Sequence, residues 1–125
     1  MAQLELDRES MGVLVQAFYG AVREDAQLGP VFLEALGDDW APHLERLTRF
    51  WATMMLGTRE FQGNVYGTHM RLAGIKPDDF KRWLALFDAT ATRLFTPQAA
   101  AALLQAAHRV AASLQLGYFD KVAVA

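Results

Sequence analysis

The chain contains no cysteine. That excludes disulfides, thiolate nucleophiles and sulfur-based zinc sites, and it accords with a reducing compartment. An excess of charge of one sign is also missing. Twelve basic residues stand against 14 acidic ones, for a formal net charge of −2, so there is no basic footprint for nucleic acid or an anionic membrane. No stretch approaches the roughly 20 apolar residues of a membrane span. Met1 to Ser10 is acidic and polar, without an apolar leader core. Strand-type alternation, repeats, linkers, glycine-rich phosphate loops and Ser/His/Asp sets are absent too. A soluble cytoplasmic protein with neither nucleic acid nor membrane as partner is the expectation.

What is present is apolar and helical. Of the 125 residues, 53% are hydrophobic, enough for a core in one domain spanning 1–125, with 1–7 and 120–125 as flexible ends. Met11, Leu14, Val15, Phe18 and Val22 recur at helical steps and predict a first helix over about 8–25. Gly29-Pro30 breaks the chain, and Pro30 starts a short helix closed by Gly37. Asp38 or Asp39 caps a long helix with Pro42 in its first turn. His43, Leu47, Phe50, Trp51, Met54 and Met55 share one of its faces, and Gly57 ends it. A loop over 58–64 leads to a short helix around 65–72, ended by Gly74. Pro77 opens a long helix bearing Phe80, Trp83, Leu84, Phe87, Ala91, Leu94 and Phe95. Thr96-Pro97 starts the last one, with Leu103, Leu104, Ala107, Val110, Ala111 and Leu114 inward and Gly117 as its stop. The predicted fold is all-α, with four substantial helices and two short ones.

The chemistry rests on few residues. His43 lies near the start of a long helix and His69 on a short one, each with aromatic neighbours. Such a pair can offer two faces to a flat, apolar, metal-centred ligand, and heme fits that description. Without a Cys-x-x-Cys-His signature, any heme is held non-covalently. The plainer reading stands beside this one. A histidine on a helix is as a rule a core or surface residue, and aromatics at helical spacing are core. Tyr19 can bury its ring against a backbone acceptor, and His108 reads as structural or exposed. Periodicity alone stops at a soluble helical domain.

The order of the motifs goes further. Phe18-Tyr19, Leu28-Gly29-Pro30-Val31-Phe32, Trp40-x-x-His43, Phe50-Trp51, Gly57, His69-x-x-Leu72 and Phe80-x-x-Trp83-Leu84-x-Leu86-Phe87 follow one another across residues 8–119. The set closely resembles the third group of truncated hemoglobins. The chain also lacks the paired-glycine motifs of the first two groups. The resemblance implies a two-over-two helical sandwich around heme b (iron protoporphyrin IX). In it, His69 matches the proximal residue that ligates the iron. Tyr19 and Trp83 match the distal donors, Phe32 the ring stacked on the porphyrin edge, and His43 the residue over the distal entrance. Leu47 is expected to wall the distal pocket, with Trp51 and Phe50 behind. Leu72 and Phe80 lie in matched segments and line the cofactor. Arg46, Arg49 and Arg71 are propionate candidates by proximity to the histidine segments, with a solvated helix face as the plainer reading of at least one.

The implied activity is reversible binding of O2, CO and NO, in oxygen binding or transport or, more in keeping with a polar distal pocket, in chemistry on reactive nitrogen or oxygen species. Two alternatives stay open. One is a heme enzyme, a peroxidase or nitric-oxide dioxygenase; the sequence has no flavin or nicotinamide motif, so its reductase is a separate protein. The other is a heme-free helical interaction module. His43 is either a gate at the pocket mouth or a polar residue that covers the heme edge.

Overall fold

The computed structural model describes residues 3–36, 40–59 and 77–119. The first helix, α1, covers Arg8–Glu24. It starts at Arg8 because Asp7 caps it. The Asp7 carboxylate accepts from the Ser10 backbone N–H at 2.7 Å, and the Ser10 hydroxyl accepts from the Asp7 N–H at 2.9 Å. Two otherwise unpaired donors are thereby satisfied. Its inner row is Met11, Leu14, Val15, Phe18, Tyr19 and Val22, all buried.

Helix α2 covers Leu28–Leu36, two residues earlier than Pro30 suggests. The reason lies in Asp25. One of its carboxylate oxygens accepts from the backbone N–H groups of Gln27 and Leu28, at 3.0 and 2.9 Å. Pro30 therefore falls in the third helical position, where a missing N–H still costs nothing. The glycine before it is required by close approach. A Cβ on Gly29 would stand 2.7 Å from the backbone oxygen of Arg23.

Helix α3 covers Ala41–Leu56 and ends on Gly57 at φ 69°, the left-handed cap the sequence predicts. Its N-cap is Trp40, which makes no side-chain capping bond; the predicted caps Asp38 and Asp39, with Gly37, lie outside the described residues. Helix α4 covers Pro77–Leu94, with Asp78 and Asp79 in its first turn, where carboxylates favour the helix dipole. Helix α5 covers Pro97–Phe119 and runs past Gly117, which does not stop it. Thr96 caps it, its hydroxyl accepting from the Ala99 N–H at 3.3 Å. The predicted short helix around 65–72 lies outside the described residues.

The sequence-based face of α3 needs correction. Thr48, Trp51 and Ala52 form its buried side, with Leu44 and Met55 packed at the margin, whereas Met54 is exposed. His43, Leu47 and Phe50 lie on a neighbouring, half-buried strip. The segment before α1 also differs from a loose end. Leu4 donates to the Leu94 carbonyl at 2.9 Å and accepts from the Thr96 N–H at 3.0 Å, so it straps the α4–α5 corner.

The helices pack as α1 against α3 and α4, and α4 against α5, with α2 reaching both α1 and α4. Among the described residues there is no strand, only the single bridge at Leu4 and Phe95. No described helix is long and apolar enough to cross a membrane.

The α1–α2 corner is pinned to α4 by polar contacts. Arg82 reaches the second Asp25 oxygen from Nε at 2.8 Å and from its terminal nitrogen at 2.6 Å. The Arg82 hydrogen bond holds the Asp25 carboxyl below the usual aspartate range, and the backbone N–H groups add to this against the opposing cost of burial. Gln27 Nε2 donates to Asp79 at 2.7 Å and to Asp78 at 3.3 Å. Because the Gly29 position abuts backbone that cannot rotate away, Gly29→Ala should destabilise the fold by about 1–3 kcal/mol. Urea unfolding followed by far-UV circular dichroism checks this, and an unchanged midpoint would mean that the corner yields freely.

Candidate functional site

Tyr19 is the one strongly polar side chain on the inner row of α1 apart from the capping residue Ser10, and it is 2% exposed. Its hydroxyl cannot reach water, so it needs a partner. The partner comes from α4, where the Trp83 indole N–H donates to the phenol oxygen. Burial pushes the Tyr19 pKa well above the usual tyrosine range, and the Trp83 hydrogen bond opposes this only in part. The group is thus held as a neutral phenol, a donor as well as an acceptor. Among the described residues nothing accepts its proton. A buried donor with no acceptor among the described residues is what a ligand-binding hydroxyl should look like.

Trp83 is placed by packing. Phe18 meets it edge-on at 5.3 Å between centroids, and Phe87 stacks on it at 5.7 Å and 24°. Phe87 in turn stacks on Trp51 at 5.1 Å. These fully buried rings leave the indole little freedom.

On its other side Tyr19 belongs to a closed cycle of four rings. Tyr19 lies 6.2 Å from Phe32 of α2, Phe32 lies 6.2 Å from Trp40, Trp40 lies 6.5 Å from His43, and His43 lies 6.3 Å from Tyr19. His43 meets both of its ring neighbours nearly perpendicular, at 87° and 89°. Arg23, one turn beyond Tyr19 on α1, lies over the Trp40 ring at 4.9 Å.

The structure therefore brings Tyr19, Trp83, His43 and Phe32 together from four segments of the chain. Leu47 follows one turn after His43, half-buried and packed against the core. Trp51 is 1% exposed within the core, in ring contact with Phe50 and Phe87 rather than with the Tyr19 cycle. Phe80 is buried beside Ala111 and packs against Trp83 and Leu84. Arg46 is exposed on α3, and Arg49 pairs with Glu45 on the surface at 2.6 Å. His69, Leu72 and Arg71 lie outside the described residues. His108 is exposed. Sequence reasoning assigned no part to Arg23 and no contact to Trp40. The available signal was Trp40 at three residues before His43 and Arg23 at four after Tyr19, spacings that put each pair on one side of a helix.

A helical fold with a half-buried apolar strip beside a buried phenol–indole pair is compatible with the globin resemblance of the sequence. Comparison with known proteins agrees. No family profile matches the chain. Group 3 truncated hemoglobin of Campylobacter jejuni is 31% identical over 113 residues, which cover 88% of this chain and 89% of that protein. The crystal structure of group III truncated hemoglobin from Campylobacter jejuni aligns with a TM-score of 0.86 at 30% identity, over 92% of this chain and 93% of the other. The chain belongs to the truncated hemoglobins, in their third group.

Membership in a globin family implies a heme cofactor. The donor set on the described side fits one: an apolar strip on α3, a phenylalanine edge, and a buried hydroxyl with a proton to give.

The buried phenol can be tested by alkaline titration. Tyrosinate absorbance that grows between about pH 9 and 11, around the usual tyrosine pKa, should have the same amplitude in wild type and Tyr19→Phe. A smaller amplitude in the variant would mean that Tyr19 ionises normally and is not sealed from water.

Proposed function

We propose that the protein is a heme protein that binds O2 and other small ligands reversibly, over a single domain spanning the chain. The observation that carries this is the Tyr19 hydroxyl, buried, neutral and hydrogen-bonded by Trp83, with no acceptor for its proton among the described residues. The cofactor is heme b, held without covalent attachment. His69 is its proximal ligand. Phe32, Leu47, Trp51, Leu72 and Phe80 line it, and Arg46 and Arg71 serve its propionates. The cellular role is chemistry on reactive nitrogen or oxygen species in the cytoplasm, with electrons from a separate reductase.

Heme, when bound, supplies an iron that takes one fixed imidazole and leaves one position for a diatomic ligand. Tyr19 and Trp83 then act on that ligand. The Tyr19 hydroxyl is the donor to that ligand, in a low-dielectric pocket where a donor favours whatever gains negative charge on binding, and Trp83 acts by holding the phenol. O2 gains more than CO, so the pair selects for O2 and slows its release. Tyr19 keeps its proton because burial disfavours the phenolate. Trp83 orients the phenol by donating to its oxygen, which leaves the O–H free to donate outward. His43 stands at the edge of this arrangement and serves access more than ligand stabilisation.

Replacing His69 with alanine should give protein that binds heme weakly or through a substitute ligand. A ferrous absorption spectrum and CO-binding kinetics identical to wild type would remove His69 from the role.

Loss of the Tyr19 donor removes a hydrogen bond to a charged partner, about 1.5–3 kcal/mol. At about 1.4 kcal/mol per decade, Tyr19→Phe should speed O2 dissociation roughly 10- to 150-fold, and Trp83→Phe, which leaves the phenol unheld, should speed it by less. The double variant should fall short of the product of the two, since Trp83 acts through the Tyr19 phenol. Stopped-flow dissociation rates measure this, and unchanged rates in all three variants would exclude a polar distal cage.

A further inference from the structure

The four-ring cycle has one charged attachment. Tyr19 and Arg23 lie one turn apart on α1, and they reach opposite corners of the cycle. Tyr19 is itself a member, whereas Arg23 covers Trp40, the member diagonal to it, at 4.9 Å. Trp40 is 4% exposed and contacts Phe32 as well as His43. His43 is half-buried in the first turn of α3 and is held edge-on between Tyr19 and Trp40. An outward rotation of the His43 ring forfeits both edge contacts. How much it forfeits depends on how firmly Trp40 is held.

We propose that Arg23 is a positioning residue, which through Trp40 holds the His43 ring against Tyr19 and so sets how often the entrance over the Tyr19 hydroxyl stands open. The inference rests on the reading of His43 as the residue at the pocket mouth. Three observations carry it. The Arg23 backbone is closely packed, since a Cβ on Gly29 would stand 2.7 Å from its carbonyl oxygen. Its guanidinium sits in the last turn of α1, where a cation also favours the helix dipole. Finally, Trp40 is the N-cap of α3, and its ring lies between Arg23 of α1, Phe32 of α2 and His43. A guanidinium over an indole is the strongest of the common cation–π pairs. Anchoring Trp40 lowers the entropy cost of the ordered His43 orientation and favours the closed arrangement.

The test is CO association by flash photolysis on the heme-loaded protein, together with the imidazole resonances of 15N-labelled histidine in the CO complex. Arg23→Met keeps the length of the stem and removes the charge. It should raise CO association about 2- to 5-fold, the range of an exposed cation–π contact, and should move or broaden the His43 resonances. Arg23→Lys should restore most of both. In a His43→Ala background, Arg23→Met should change nothing further. The thermal midpoints serve as a control for the fold. Unchanged CO association and unchanged His43 resonances in Arg23→Met would overturn the proposal. So would an acceleration of the same size in the His43→Ala background, since Arg23 would then act by another route. If His43→Ala itself leaves CO association unaltered, the pocket-mouth reading fails. The resonances then decide about the clamp alone: a shift in Arg23→Met reversed in Arg23→Lys supports it, and no shift refutes it.

Discussion

A phenol buried in an apolar core is the constraint around which this molecule is organised. Tyr19 sits on the inner row of α1, among side chains that cannot satisfy a hydroxyl. An unsatisfied hydroxyl there would cost several times what a hydrogen bond contributes to stability. Trp83 must therefore be delivered to it, and that requirement sets the register of α4 on α1. The stack from Phe18 through Trp83 and Phe87 to Trp51 then holds the indole in place. Half of the hydrogen-bonding capacity of the phenol is met by the protein. The other half is what, under the proposed function, meets a ligand.

Helix α3 shows the complementary principle. Its apolar arc is wider than one packing partner can cover. The side bearing Thr48, Trp51 and Ala52 is spent on the core. The adjacent strip, with His43, Leu47 and Phe50, stays half-covered within the described residues. In a stable helical protein of this size such a strip is expected to meet something apolar, and a flat macrocycle is the ligand that membership in a globin family supplies. Under the proposed function, α3 serves both core and cofactor within a chain of 125 residues.

The α1–α2 corner links fold to site. Asp25 opens α2 with two backbone hydrogen bonds and ties it to α4 through Arg82, and Gln27 adds a second tie at Asp78 and Asp79. Gly29 lets α2 approach the end of α1 closely enough that Phe32 enters the ring cycle with Tyr19 and Trp40. Polar contacts at the α1–α2 corner thus decide where the Phe32 ring stands. The ion pair is half-exposed on the arginine side and matters more for geometry than for stability.

Local sequence determined the helices, their approximate ends and the family. Periodicity at Met11, Leu14, Val15, Phe18 and Val22, the glycine at 57 and the Thr96-Pro97 cap are short-range signals, and the structure follows them. The ordered motifs also picked out Tyr19, Trp83, His43 and Phe32, which the fold does bring together. Other features depended on tertiary contacts. Pro30 lies inside α2 because Asp25 reaches forward to cap it, and Gly117 stays helical within α5. Met54 faces outward because Trp51 and Ala52 take the core side of α3. Leu4 is tied down because the α4–α5 corner offers it a free carbonyl and a free N–H. Arg23 gained its partner in the same way. A one-dimensional pattern records which residues share a helix face, but which of two adjacent faces meets the core, and which cation falls over which ring, is decided by how helices distant in sequence dock.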